Sequence, residues 1–492
     1  MRPKAFLLFA FALVPFLLLA TLNSAGYRYG ASDQAFYIPA VLLRLDPSLF
    51  PRDRAVLAAQ APLTGADEIV AGVVRATGLS VPIACAALYV VSLTLIAFAV
   101  WSIGRVIYRT SWAGVALLAA LTLRHAVPDS GTNTLEGYFH PRQLAFGLGA
   151  LAVASFLRRR IGVAALLLGI AAAIHPPTTM WFTIWLGVAA FVAERALRPA
   201  LAIVAAVGAI GAVWALTAGP LAARLAFMDD AWLATLADKP YLFPLRWSWD
   251  AWLVNLGYIP VILWIYRSRS RAGVATAQEL GLVAGCMTLV AVFALAVPLN
   301  AARLALAIQL QPGRIFWMLD LLAVVYLVWR LGEGSAASPR RAQRLAAALA
   351  IASIARGAYL KFVMFPDRPI AEIHVRDDDW GRAMAWARTT DVASAWLADP
   401  VHAAQYGTSV RLAGHRDVLV EAMKDGALGM YDRSVAMRTR ERLEAIGHFG
   451  AMTPHHARSL AARYGLHYLV TEQPLDLPVA FSSGRLSVYT IP

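Results

Sequence analysis

Apolar runs near membrane-spanning length, separated by short charged or proline-rich stretches, make up the first three quarters of the chain. They cover residues 5–22, 81–103, 112–127, 144–156, 161–175, 178–192, 200–218, 251–266, 278–297, 315–329 and 345–365. A helix of roughly 20 apolar residues crosses about 30 Å of hydrocarbon, because each residue advances about 1.5 Å. The pattern predicts about eleven transmembrane helices, several of them short. Beyond residue 365 the long runs stop. Helical periods over 379–388, 431–446 and 454–464 then interleave with strand-like runs at 393–398, 417–420, 467–471, 479–482 and 486–491. That alternation predicts a compact α/β domain. The expected fold is a polytopic α-helical membrane domain, residues 1–365, with a long first outer loop at 23–80. A soluble α/β domain follows at 366–492.

Composition agrees with a bilayer as solvent: 59% of residues are hydrophobic and 15% charged, where a soluble domain carries about 25%. Lys and Arg number 44 against 30 Asp and Glu. The excess lies in short runs between apolar stretches, so nucleic acid is not an expected partner. Cys85 and Cys286 fall inside spans and read as small buried side chains. The first helix also fits a signal peptide, but Asn23, Ser24 and Ala25 make a poor cleavage site and other spans follow, so a retained helix is expected.

Short Lys/Arg-rich loops stay cytoplasmic. Arg2 and Lys4, Arg105 and Arg109, Arg158 to Arg160, Arg195 and Arg198, Arg267 with Arg269 and Arg271, and Arg330 with Arg340, Arg341 and Arg344 all fall on one side; the exception is the segment after the first helix, with Arg28, Arg44, Arg52, Arg54 and Arg75, which is long enough to weaken the rule and is placed outside. The other side receives segments 23–80, 128–143, 219–250 and 299–314 together with the tail, which places the C-terminal domain outside the cytoplasm and the N-terminus within it. Most acidic residues outside the tail lie in those outer segments, so any chemistry is expected there.

The first outer segment carries Asp33, with Gln34 and Tyr37 close behind. A carboxylate just above the bilayer needs a partner, a metal or a substrate. The plainer reading is the N-cap of a helix starting at Gln34. Glu136, His140 and Arg142 stand at the mouth of the fourth span, as an anion site or an interfacial anchor. His175 faces the same cavity or caps a helix C-terminus. Arg303 and Arg314 belong to the fourth outer segment. Asp320 and Arg356 lie inside spans, where ionisable groups are functional candidates, or pair with each other structurally. The third outer segment, Asp229 to Asp250, is rich in Trp and Tyr, which suit sugar faces but also populate membrane interfaces. His455 and His456 are adjacent and point about 100° apart, a poor metal pair. No phosphate-cradling glycine loop or zinc signature is present, so a nucleotide-sugar donor is not expected.

One span, a long outer loop with an early acidic residue, many further spans and an outer tail together resemble the GT-C glycosyltransferases. The tail order Trp380, Trp386, Thr389, Pro400, Arg411, Arg416, Lys424 and Arg438 resembles a bacterial domain appended to such membrane proteins. The resemblance implies a bacterial inner-membrane enzyme that passes a sugar from a polyprenyl-phosphate carrier to an extracytoplasmic acceptor. It also implies Asp33 as general base and Arg356 as a ligand of the carrier phosphate; Tyr37, Glu136, His140, Arg142, His175, Arg303, Arg314 and Asp320 are the other candidates for substrate or phosphate binding. Many members place a second acidic residue beside the first, where this chain has Gln34. No cofactor is therefore expected to be required, and a divalent metal finds little support. The expected partners are membrane lipid and the lipid-linked sugar. Two other readings stay open: a transporter or flippase for a lipid or anionic solute, and a non-catalytic scaffold in envelope polysaccharide assembly.

Overall fold

The computed structural model describes residues 3–219, 221–334 and 338–492; Arg2, counted above among the cytoplasmic charges, lies outside them. Seven described helices are long and apolar enough to cross a bilayer: Phe6–Asn23, Val81–Ile107, Pro176–Ala193, Arg195–Thr217, Ala277–Ala301, Ala305–Gly332 and Pro339–Met364. The other four expected spans coincide with helices that miss one requirement. Ser111–Leu121, Pro141–Leu157 and Ile161–Ile174 have 11, 17 and 14 residues, short of the ~20 needed at about 1.5 Å per residue. Trp249–Arg271 has 23 residues but ends in Arg267, Arg269 and Arg271. Two of the short helices flank the site. The chain leaves Ser111–Leu121 early, forms the hairpin β1 and β2 of its second loop, Ala126–Val127 against Thr132–Asn133, and re-enters at Pro141.

The arginine-rich turns are knitted together at one end of the bundle. Glu333 accepts from the backbone N–H groups of Arg109 and Thr110, Arg158 donates to the Ser102 carbonyl, and Arg159 and Gln278 converge on Glu194. At the opposite end, here called the site face, the first long loop, the 128–143 loop and the tail pack together. Tyr27–Arg28 (β3) pairs in parallel with Ala371–Glu372 (β4), so the exit of the first helix is stitched to the segment after the last one. Gly137 lets the second loop pack against the same exit: a Cβ there would stand 2.4 Å from the Gly26 carbonyl oxygen and 2.7 Å from that of Ser24.

The tail holds a five-stranded sheet. Ala395–Leu397 (β5) pairs in parallel with Asp417–Val418 (β6) and Tyr468–Thr471 (β7); Leu486–Thr490 (β9) runs antiparallel to both β7 and Val479–Ser483 (β8). The order is β6-β5-β7-β9-β8. Helices Asp379–Ala387, Arg433–Ile446 and Pro454–Tyr464 fall within one or two residues of their sequence-based positions. Their apolar period matched the face they bury. Trp386 stacks on Phe481 and meets Trp396 edge-on beneath the sheet. One apolar core runs without interruption from the membrane helices into Trp380 and Trp396 of the tail.

Candidate functional site

A cavity of about 630 Å3 opens on the site face between the first loop, the 128–143 loop, the end of the last spanning helix and the tail. Asp33, Tyr37, Glu136, His140, Arg142, His175, Arg314 and Arg356 all line it. Two residues of the expected set lie elsewhere. Arg303 follows the C-terminus of Ala277–Ala301 in a left-handed conformation, and its guanidinium reaches out to the exposed Asp230 at 2.6 Å. Asp320 is buried in the helix bundle against His125, 3.3 Å away, and does not pair with Arg356. Arg356 instead donates to the carbonyl and side-chain oxygens of Asn23, at 2.7 and 2.8 Å. The two intramembrane charges that prompted a transport path therefore share no cavity.

Asp33 occupies the N-cap position of helix Gln34–Leu45, yet its carboxylate makes no capping bond. It turns into the cavity, where Oδ1 accepts from Lys424 Nζ at 2.7 Å and Oδ2 from His140 Nε2 at 3.2 Å. Gln34 faces the other way. It accepts from the Gly30 N–H and donates to the Phe139 carbonyl, pinning the first loop to the second. The residue that replaces a second carboxylate is thus a buried strut.

His140 is held with equal definition. It caps helix Pro141–Leu157 through Nδ1, which accepts the Arg142 backbone N–H at 3.1 Å. Proline at the first helical position has no N–H to satisfy, which suits that start. With Nδ1 accepting, the ring proton resides on Nε2 and is donated to Asp33. Burial and the Arg142 charge push the His140 pKa down, so the neutral ring prevails at pH 7. Tyr37 meets it edge-on at 5.2 Å. Burial pushes the Asp33 carboxyl up, but the Lys424 ammonium and the His140 hydrogen bond outweigh it and hold it well below the usual carboxylate range. His175 caps as well, though at the start of the following helix, accepting from the Thr178 N–H at 3.3 Å. A cap at a helix C-terminus was expected; the chain turns so tightly here that one residue ends one helix and begins the next.

The cations differ in how they are balanced. Arg142 is forked onto Glu136, its Nε 2.8 Å from Oε1. Arg314 has no carboxylate within ion-pair distance among the described residues, and its Nε is buried without an acceptor. Around it stand Tyr37, Tyr241 and Tyr431. Arg124 and Arg356 line the side of the cavity nearest the first and last helices, again without a carboxylate partner among the described residues. Three guanidinium groups thus face one cavity unneutralised, and a buried donor without an acceptor is costly enough to mark a place for a ligand oxygen.

Sequence reasoning named Lys424 only within the tail's residue order and did not place Arg124, Tyr241 or Tyr431 at the site. Lys424 lies 391 residues from Asp33, so no local spacing joins them. The signal that could have found Arg124 is its position at the end of a span, by the same logic applied to Arg356. Among the described residues no three His, Cys, Asp or Glu side chains converge as a metal site requires. The groups on Asp33 are an ammonium and an imidazole N–H, each donating to one carboxylate oxygen.

Fold and cavity define a polytopic helical membrane protein whose tail completes a charged cavity at one membrane face. No family model matches the chain, and no curated protein matches it significantly. Among solved structures, the apo oligosaccharyltransferase of Archaeoglobus fulgidus is similar, at 11% identity over 96% of this chain and 70% of that one, with a TM-score of 0.47. Likeness at that level assigns no chemistry to this chain.

Proposed function

We propose that the protein is an inverting glycosyltransferase of the bacterial inner membrane, taking a sugar from a polyprenyl-phosphate carrier and passing it to an extracytoplasmic acceptor. In this reading all eleven expected helices cross the bilayer. Residues 1–365 form the membrane domain, and residues 366–492 sit outside the cytoplasm. The observation that carries it is the pairing, in one cavity, of an ionised Asp33 with guanidinium groups that lack any anion of their own.

The reaction moves one sugar. An acceptor hydroxyl oxygen attacks the anomeric carbon from the face opposite the phosphate. The carbon–oxygen bond to the phosphate breaks, and the carrier phosphate departs with the electron pair. The hydroxyl proton goes to Asp33. A carboxylate with a depressed pKa is a weak base, so it takes that proton late, once the new bond has made the attacking oxygen strongly acidic. Its contribution is position and charge, fixed by Lys424 and His140. Arg314 meets the charge growing on the leaving phosphate, with Arg124 and Arg356 nearer the lipid. The tail contributes Lys424 beside Asp33 and Tyr431 beside Arg314, so it borders both the base and the phosphate site.

The test uses the full chain in proteoliposomes with polyprenyl-phosphate-linked sugar. Asp33→Asn, which keeps shape and removes the charge, is expected to lower transfer about 10³-fold while thermal unfolding stays near that of the parent. Unchanged transfer by a folded Asp33→Asn protein overturns the assignment. Sugar-lipid flux across sealed vesicles without a new glycosidic bond overturns the reaction class.

A further inference from the structure

A second cavity, of about 190 Å3, lies on the site face apart from the first, where β3 and β4 run side by side under the tail. Its lining includes Arg28, Arg368, Arg376, Glu372 and Asp378. The two carboxylates are engaged: Glu372 pairs with Arg376, and Asp378 caps its helix by accepting the Gly381 N–H at 2.8 Å. Three arginines face two carboxylates, so the recess keeps an excess of one positive charge, and Arg28 and Arg368 are the two that form no ion pair among the described residues. Arg28 has a buried Nε without an acceptor, and Arg368 lies over the Phe365 ring at 3.9 Å; neither has a carboxylate partner among the described residues. Lys361 does not compete for an anion, since its Nζ donates to the Pro366 and Arg368 carbonyls at 2.8 and 2.7 Å and so shapes the turn that presents Arg368.

Location narrows the ligand. Phe362, Val363 and Met364, in the last turn of the final spanning helix, and Ile370 on the strand approach are all exposed. Arg368 links the recess to the 360–370 surface that carries these exposed apolar side chains, so apolar surface from the end of the last span stands beside a recess with an excess of positive charge. A soluble anion has no use for such a surface. A phospholipid does, because its acyl chains need apolar contact exactly where its phosphate needs guanidinium donors.

We propose that this cavity takes the phosphate headgroup of an anionic phospholipid from the surrounding bilayer, with the acyl chains lying along Phe362, Val363 and Ile370. The site is independent of the reaction in the larger cavity. Bound there, the lipid ties the segment joining the last span to the tail, and hence β4 and its partner strand, to the membrane surface.

The experiment places the full protein in nanodiscs of phosphatidylcholine containing phosphatidylglycerol and measures, by native mass spectrometry after release, which lipid remains bound. Selective retention of phosphatidylglycerol is expected. Arg28→Gln and Arg368→Gln should each weaken it about fivefold, the effect of one interfacial cation. Glu372→Gln should strengthen it by freeing Arg376, an opposite change that damaged folding would not produce. Equal retention of both lipids overturns the proposal, as does undiminished retention by the folded double variant. Thermal protection by inorganic phosphate or by a short uronate oligosaccharide, in the absence of any by phosphatidylglycerol, also overturns it.

Discussion

Lys424 and Asp425 are neighbours on the short helix Ala422–Leu428, and because consecutive helical residues point about 100° apart they enter two different clusters of charge. Behind the helix, Arg411 donates Nε to Asp53 at 2.7 Å and grips Asp425 through Nη1 and Nη2, while Arg438 closes on the other Asp53 oxygen. The Val418 N–H also donates to Asp53, and Asp417 accepts from the backbone N–H groups of Arg52 and Asp53. This cluster is buried, with nearly every charge answered. In front of the helix, Lys424 answers Asp33, but Arg314, Arg124 and Arg356 find no carboxylate among the described residues. Saturated charge behaves as a latch, here holding the tail on the first loop. Charge left open behaves as a receptor, and the latch fixes the helix from which Lys424 reaches into it.

If that contrast is right, damage to the two clusters separates into stability and activity. The largest effect is expected from Arg411→Met, which leaves Asp53 and Asp425 buried without their shared cation and costs about 3–5 kcal/mol. Thermal unfolding and protease sensitivity of the tail should both register it. Arg314→Gln belongs to the open cluster. It should lower kcat/KM about 10²-fold, near 2.7 kcal/mol in the barrier, with an unfolding temperature at or above that of the parent. An equal loss of stability from both variants would erase the distinction.

Lys424→Met sits between the clusters and sharpens it through pH. Lys424 holds the Asp33 pKa down against burial; without it burial prevails and the carboxyl pKa rises. Activity that needs ionised Asp33 should then fall on acidification at higher pH than in the parent. A pH profile that does not move would show that the ion pair leaves the reacting carboxylate unaffected. The smallest effect is expected at Glu421. Burial, with Asp425 close by, raises its pKa to about 8 from 4.5, and neither oxygen has a hydrogen-bond partner. Between those values the folded protein holds a proton that the unfolded chain has lost, so stability falls as pH rises through that window. Glu421→Leu should flatten the slope, with its largest gain in stability toward pH 8, read from unfolding across pH.

The membrane class and the strand and helix positions of the tail were legible because periodicity and length report burial directly. Residues anchored on one short segment were legible too: Asp33, His140 and Arg142 each stand where an apolar helix begins. Span boundaries were less legible, since composition marks a segment as apolar without showing where the helix stops, and three of the eleven segments form helices of 17 residues or fewer. Arg303 and Asp320 drew attention as charges near or within spans, but each is neutralised by a partner, Asp230 and His125, that the order of the chain does not reveal. Lys424 was hidden for the same reason in reverse, because only the folded tail brings it to Asp33. The tail's arginines show both outcomes. Arg411 and Arg438 belong to the latch, whereas Arg416 donates to the Arg388 carbonyl and braces the sheet.

The most direct measurement is a density map of the full protein in nanodiscs with a polyprenyl-phosphate-linked sugar bound. The account predicts phosphate oxygens within about 3 Å of Arg314 nitrogens and the sugar directed toward Asp33 and Lys424. A carrier phosphate seated at the arginine-rich face, or in the cavity with Arg314 still unengaged, would contradict it.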